Sequence, residues 1–100
     1  MGQYLYYKKQ KRELIIDKLT QRIKFHKYFT HKKKSSTFKF DDIKSLIVKK
    51  DYRYKDDPIY KLSFVLKTTK KFTIYRGKRE ACTRIGWNIA RFMGKYCRYT

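Results

Sequence analysis

Residues 59–74 read IYKLSFVLKTTKKFTI, and this stretch decides the fold of the 100-residue chain. Apolar and polar residues alternate on both sides of a short polar segment, Thr68–Lys70. One face of the two runs is expected to carry Tyr60, Leu62, Phe64, Leu66, Phe72 and Ile74. Alternation with a period of two is typical of half-buried strands, and two such runs around a short turn predict a β-hairpin.

A helix is predicted after the hairpin. Its apolar stripe consists of Cys82, Ile85, Ile89, Phe92, Met93 and Tyr96, which recur at helical spacing. The opposite face carries Arg84, Asn88, Arg91 and Lys95, with Trp87 between the two faces. Gly94 should end or bend the helix. Both cysteines, Cys82 and Cys97, are placed on this helix, where the helical rise separates them by roughly 22 Å and prevents a disulfide.

The residues before the hairpin predict further strands. Phe38 and Phe40 share a face, Asp41-Asp42 interrupts the strand, and Ile43 should enter the core. The alternation then continues through Leu46, Val48, Tyr52 and Tyr54 to a turn over residues 55–58.

Residues 14–30 fit two alternatives. Ile15, Leu19 and Ile23 have a helical spacing. The β-branched and aromatic content instead favours strands over residues 13–17 and 20–29, with a turn near Asp17-Lys18. The polar, basic residues 31–36 then predict a hairpin loop.

These elements define an α+β fold. We expect a strongly bent antiparallel sheet or partly open barrel, closed by the C-terminal helix. Residues 14–100 are interpreted as one domain, and residues 1–13, rich in Tyr and Lys, as an N-terminal arm. One core is predicted from Phe38, Phe40, Ile43, Leu62, Phe64, Leu66, Phe72, Ile74, Ile85, Ile89 and Phe92.

The charge of the chain indicates its partner. Lys and Arg number 28 against 8 Asp and Glu, a formal net charge of +20. A folded surface that positive repels itself, so a polyanion is the expected partner. The residues predicted to bind it are Lys8, Lys9, Lys11, Arg12, Lys32, Lys33, Lys34, Arg76, Lys78, Arg79, Arg84, Trp87, Arg91 and Lys95.

Three partners remain open. RNA is the first. The protein would then be a small non-enzymatic docking module, an accessory subunit of a large assembly. RNA affinity should in that case depend most on the helix residues Arg84, Trp87, Arg91 and Lys95. An anionic membrane surface is the second, and there the Lys32–Lys34 loop should matter most. A protein surface within a membrane complex is the third.

The order of features from Leu14 to Cys97 resembles the pleckstrin-homology-like family. The similarity is carried by FKFDDIKSL (38–46), YKLSFVL (60–66), Phe72-Thr73-Ile74 and the closing IARFMG (89–94). The soluble C-terminal domain of photosystem I assembly proteins from plastids and cyanobacteria is similar in the same features. The resemblance implies the bent sheet with its closing helix, and either a lipid-binding role or a role in assembling a photosynthetic complex.

Catalytic and metal chemistry find little support in the sequence. His26 and His31 are not near either cysteine in the chain, and neither C-x-x-C nor H-E-x-x-H spacing occurs. Adjacent Asp pairs such as Asp41-Asp42 seldom converge as an acid and a base must. We therefore expect no enzyme, cofactor, metal or small-molecule substrate. Two cysteines are too few for a secreted disulfide framework, which favours an intracellular location, with a plastid or mitochondrion left open.

Overall fold

The computed structural model describes residues 4–51 and 58–99, and the chain forms two compact units divided in sequence between Asp42 and Ile43. The first unit is an antiparallel sheet in the order β1-β2-β3-β4. Its strands are β1 (Tyr4–Lys9), β2 (Arg12–Asp17), β3 (Arg22–Tyr28) and β4 (Lys33–Lys39), and a single 3₁₀ turn (Phe40–Asp42) follows. Each strand therefore pairs with the next one along the chain.

Strands β2 and β3 form because their apolar residues alternate. Leu14 lies opposite Phe25 and Ile16 lies opposite Ile23, and all four side chains are buried. The helical alternative for residues 14–30 is therefore wrong, and the strand prediction is confirmed. The turn between the strands is ordered by Asp17, whose carboxylate accepts hydrogen bonds from the backbone N–H groups of Leu19 and Thr20 at 3.0 and 3.4 Å.

The outer strands of this sheet extend beyond what the sequence predicts. Residues 33–36 were expected in a loop, but they begin β4, and only residues 29–32 make the turn. Lys and Ser give no alternating signal, and the backbone ladder with β3 decides the conformation there. Within the segment interpreted as an arm, Tyr4–Lys9 forms β1 and pairs with β2. The division into an arm (1–13) and a domain (14–100) stays a prediction.

The second unit combines a sheet and a helix. Its elements are β5 (Ile43–Asp51), β6 (Ile59–Leu66), β7 (Lys71–Gly77), α1 (Arg79–Met93) and β8 (Cys97–Tyr99), and the sheet order is β7-β6-β5-β8. Strand β8 runs parallel to β5, whereas the other pairs are antiparallel. The predicted hairpin and helix are both confirmed, but Tyr96, predicted on the apolar stripe, lies beyond the end of the helix and is exposed. The predicted alternation at Tyr52 and Tyr54 and most of the turn over 55–58 lie outside the described residues.

Gly94 ends α1 as predicted. It has a φ of +70°, and the N–H of Lys95 donates to the carbonyl of Ala90 at 2.8 Å. A left-handed residue at this position closes the last turn of a helix. The chain then turns back into β8, so the placement of Cys97 on the helix is wrong. Glycine stops the helix three residues before this cysteine, which pairs with Leu46 of β5 instead.

The predicted core residues fall in both units. Those that are buried are Phe40, in the first unit, and Ile43, Leu62, Phe64, Ile74, Ile85 and Ile89, in the second; Phe38, Leu66, Phe72 and Phe92 are half-buried. The eight strands and one helix of the described ranges confirm the α+β class.

Candidate polyanion-binding surfaces

Two basic clusters that are distant in sequence meet at one end of the first sheet. Successive strands of this sheet run in opposite directions, so the β1–β2 turn (10–11) and the β3–β4 turn (29–32) lie at the same end. The N–H of Tyr28 donates to the carbonyl of Lys11 at 2.8 Å, which joins the two turns. We call this region the basic end; it comprises Lys8, Lys9, Lys11, Arg12, Lys27, Lys32, Lys33 and Lys34.

Four of these cations form a row across the sheet. Lys9 pairs with Arg12, Arg12 with Lys27, and Lys27 with Lys34, so all four side chains project from the same face. Strands lie about 4.8 Å apart, so the row is roughly 14 Å long. Like charges directly opposite one another are destabilising. A bound anion would offset that repulsion.

Lys27 was not among the predicted binding residues. The sequence places it inside a strand with no Lys or Arg on either side. Only the register of β2, β3 and β4 brings it between Arg12 and Lys34. Its Nζ lies 5.6 Å from the ring centroid of Phe29, and Lys33 Nζ lies 5.8 Å from that of Tyr28. Both distances are within the range of cation–π attraction.

An open cavity of about 610 Å³ lies beside this row, and Lys11, Arg12, Lys27 and Phe29 are among the residues that line it. Cationic walls and an aromatic ring are suited to a phosphate group attached to an apolar or planar moiety.

The other face of the first sheet carries a hydrogen-bonded network around Glu13. Tyr6 and Tyr28 donate their hydroxyls to its two carboxylate oxygens at 2.5 and 3.1 Å. The hydrogen bond from Tyr6 lowers the pKa of Glu13, and the same bond raises the pKa of Tyr6. Burial, followed by its bond to Glu13, raises the pKa of Tyr28. A carboxylate and hydroxyls shifted in these directions are poorly matched to proton transfer near neutral pH.

A second basic surface lies on α1. Arg84, Trp87 and Arg91 are exposed at helical spacings of three and four residues, which place them along one side of the helix. The indole N–H of Trp87 donates to the hydroxyl of Tyr99 on β8. A groove of about 480 Å³ is lined there by Arg79, Glu80, Thr83, Arg84 and Tyr99. Tyr99 was missed because the sequence predicts no strand after Gly94.

The remaining predicted residues have different settings. Arg76 lies on β7, and its Nε is 3.5 Å from a carboxylate oxygen of the buried Asp51, so this cation is engaged within the fold. Lys78 occupies the N-cap position of α1, and Lys95, just past the helix, is half-buried. The predicted polyanion-binding residues are therefore divided between the two units.

Neither Cys82 nor Cys97 forms a disulfide. Cys82 is fully buried, and its Sγ lies 3.4 Å from the carbonyl oxygen of Tyr60. Burial raises the pKa of Cys97. A raised pKa lowers the thiolate fraction and hence the reactivity of a thiol.

Within residues 4–51 and 58–99, no cluster of three or more His, Cys, Asp or Glu side chains is arranged to hold a metal ion. Nor does the described part of the chain contain a helix with the length and apolar character needed to cross a membrane. Comparison with models of protein families, with curated proteins and with solved structures gives no match.

Proposed function

We propose that this protein is a non-enzymatic docking module that binds the phosphates of RNA through the basic end. The observation that carries the proposal is the meeting of the 8–12 and 32–34 clusters, with Lys27 between them, at one end of one sheet. Eight cations lie there, whereas Glu13, the acidic residue next to Arg12 in the chain, projects from the face opposite to the row of four and accepts hydrogen bonds from two tyrosine hydroxyls. If the basic runs were only solvent-exposed charge, nothing would require two runs that are distant in sequence to meet at one end of the sheet.

Lys and Arg contacts to phosphates supply affinity without choice of sequence. Each neutralised phosphate of a single strand contributes about −0.7 to the slope of log affinity against log salt concentration. If the row of four cations is occupied, the slope should be roughly −3. A slope near zero would exclude phosphate binding and favour an apolar protein interface.

Three charge-matched variants test the site. The basic-end variant combines Lys27→Gln, Lys32→Gln and Lys34→Gln, and the helix variant combines Arg84→Gln, Arg91→Gln and Lys95→Gln. The control combines Lys67→Gln, Lys70→Gln and Lys71→Gln, which remove three exposed charges around the β6–β7 turn. We expect the basic-end variant to lose the most affinity for a labelled RNA in fluorescence anisotropy. Equal losses in all three would show that net charge alone acts and that no site exists.

An anionic membrane is a second candidate, and one observation favours it. Phe29 is 43% exposed in the β3–β4 turn and lies within the basic end. An apolar ring among loop cations suits insertion into a headgroup layer, where each cation near the surface contributes about 1 kcal/mol. Binding of the wild type and of Phe29→Ala to phosphatidylserine vesicles tests this candidate. If the protein binds vesicles more tightly than RNA, and Phe29→Ala weakens vesicle binding, the partner is a membrane rather than RNA.

The finer assignment of the fold is also part of the proposal. Seven strands in two sheets followed by a helix support a pleckstrin-homology-like domain, to which the described chain adds β8 after the helix. Such a module could serve as an accessory subunit or assembly factor of a larger complex, including a photosynthetic one. Pull-down of the tagged protein with and without nuclease tests this role. Partners that are lost after nuclease treatment support RNA, whereas partners retained with membranes support the membrane complex.

A further inference from the structure

Two exposed tyrosines lie next to each other on the face of the first sheet that carries Glu13. Tyr4 and Tyr6 are 60% and 55% exposed, and they occupy alternate positions of the edge strand β1. Alternate residues of a strand project from the same face, roughly 7 Å apart. Two rings at this spacing leave room for one planar ligand between them.

The ring of Tyr6 is held in position before any ligand binds. Its hydroxyl donates to Glu13 Oε2 at 2.5 Å, and Glu13 lies on the neighbouring strand β2. Fixing an aromatic side chain in advance lowers the entropy that binding must overcome. The other acidic residue of this face, Asp17, pairs with Tyr4 in the ladder, and its carboxylate accepts hydrogen bonds from the β2–β3 turn.

Cations surround the two rings. The residues that project from this face by the strand register include Lys8 on β1, Arg22 and Lys24 on β3, and Lys33 and Lys39 on β4. Lys24 lies on the same rung as Tyr6, separated from it by Ile15. Five cations against Glu13 and Asp17 leave the face positive, so its ligand is expected to be planar and anionic.

We propose that Tyr4 and Tyr6 stack on unpaired bases of RNA, so that the ligand of this protein is single-stranded rather than duplex RNA. The inference rests on the proposed function, since phosphates bound by Lys8 and Lys33, two members of the basic end that project from this face, would bring the strand to the rings. Every base offers a π-face, so stacking tolerates any sequence, but only unpaired bases expose that face. Cations beside an aromatic platform are a common means of binding single strands without choice of sequence.

The test compares a short single-stranded RNA with the duplex made from the same strand and its complement. The double variant Tyr4→Ala/Tyr6→Ala removes both rings, and Tyr96→Ala, at a tyrosine that is 80% exposed in the second unit, is the matched control. We expect the double variant to bind single-stranded RNA about tenfold more weakly, with an unchanged salt slope and unchanged duplex affinity. The Tyr96 variant should bind both forms like the wild type.

A conservative variant keeps the result interpretable. Tyr6→Phe retains the ring but removes the hydrogen bond to Glu13, so it should keep most of the preference for single strands. Circular dichroism shows whether each variant is folded, and the fluorescence of a 2-aminopurine base in the single strand reports stacking directly.

The outcomes separate the two proposals. Equal losses for single-stranded and duplex RNA, or no loss in the double variant, would overturn the stacking inference and leave phosphate binding intact. A wild-type protein that binds neither RNA would overturn the proposed function itself.

Discussion

Gly86 shows how closely α1 packs on the second sheet. A Cβ at this position would lie 2.8 Å from Cys97 Sγ and 2.9 Å from Leu62 Cδ1. Leu62 is fully buried and has little room to shift. The absence of a side chain at residue 86 therefore permits the close approach of the helix to β6 and β8.

Gly86→Val should lower the free energy of unfolding by about 1–3 kcal/mol, the usual cost of overpacking. Asn88→Val is the control, because Asn88 is exposed on the same helix and the change adds the same β-branched side chain. Chemical denaturation measures both. A Gly86 variant as stable as the Asn88 variant would show that the helix can move away from the sheet at little cost.

Glu13 links pH to the stability of the first sheet. Its pKa is lowered below the ordinary 4.5, chiefly by the hydrogen bond from Tyr6. A lowered pKa in the folded state means that the stabilisation is present above the ordinary value and is lost as the pH falls through the lowered one. Tyr6 and Tyr28 are then left without a charged acceptor.

Glu13→Gln should be less stable than the wild type near neutral pH, and the difference should shrink as the pH falls below the ordinary carboxyl pKa of 4.5 toward the lowered one. The measurement is the urea midpoint of both proteins from neutral to acidic pH. Asp41→Asn removes one exposed carboxylate from the same unit and controls for net charge. A difference that widens toward acidic pH would mean that protonated Glu13, rather than its carboxylate, stabilises the sheet.

Strand β6 is the central element of the second unit. It pairs with β5 on one side and β7 on the other, and Phe64 on this strand is fully buried. Phe64→Ala should therefore cost about 3–5 kcal/mol. Val65→Ala, at the next and half-buried position, should cost clearly less. Similar losses in chemical denaturation would mean that the two faces of β6 contribute equally.

Elements with a clear period could be predicted from the sequence, and those without one could not. The 59–74 hairpin and α1 have apolar residues at spacings that only one conformation satisfies. Strand β4 begins with Lys33-Lys34-Ser35-Ser36, which has no apolar member, and it is held by backbone pairing with β3. Strand β8 has three residues, too few for any period.

The sequence was enough to predict most of the basic residues of the candidate site, but not how the fold arranges them. The charge runs at 8–12 and 32–34 are visible in the sequence. Their meeting depends on a four-stranded order that requires β1, whereas the sequence predicts an arm over those residues. Lys27 and Tyr99 become relevant only through the strands that adjoin them.

At the scale of the whole molecule, the net charge of +20 opposes folding. Added salt screens this repulsion, because the Debye length falls from about 30 Å at 0.01 M to about 8 Å at 0.15 M ionic strength. The thermal midpoint should therefore rise with sodium chloride over this range, by several degrees if about 1 kcal/mol of repulsion is removed. A midpoint that falls with salt would show that attractive ion pairs, such as Arg76–Asp51, dominate instead.

A chain rich in strands must also remain dispersed before it meets its partner. Each outermost strand of the two sheets carries Lys or Arg: Lys8 and Lys9 on β1, Lys33, Lys34 and Lys39 on β4, Lys71 and Arg76 on β7, and Arg98 on β8. Strands with such charges resist adding a strand from another copy, because the like charges of the two copies repel. The same lysines that favour a polyanion would therefore delay fibril formation. A polyanion that neutralises them without covering the strand edges would be expected to nucleate aggregation.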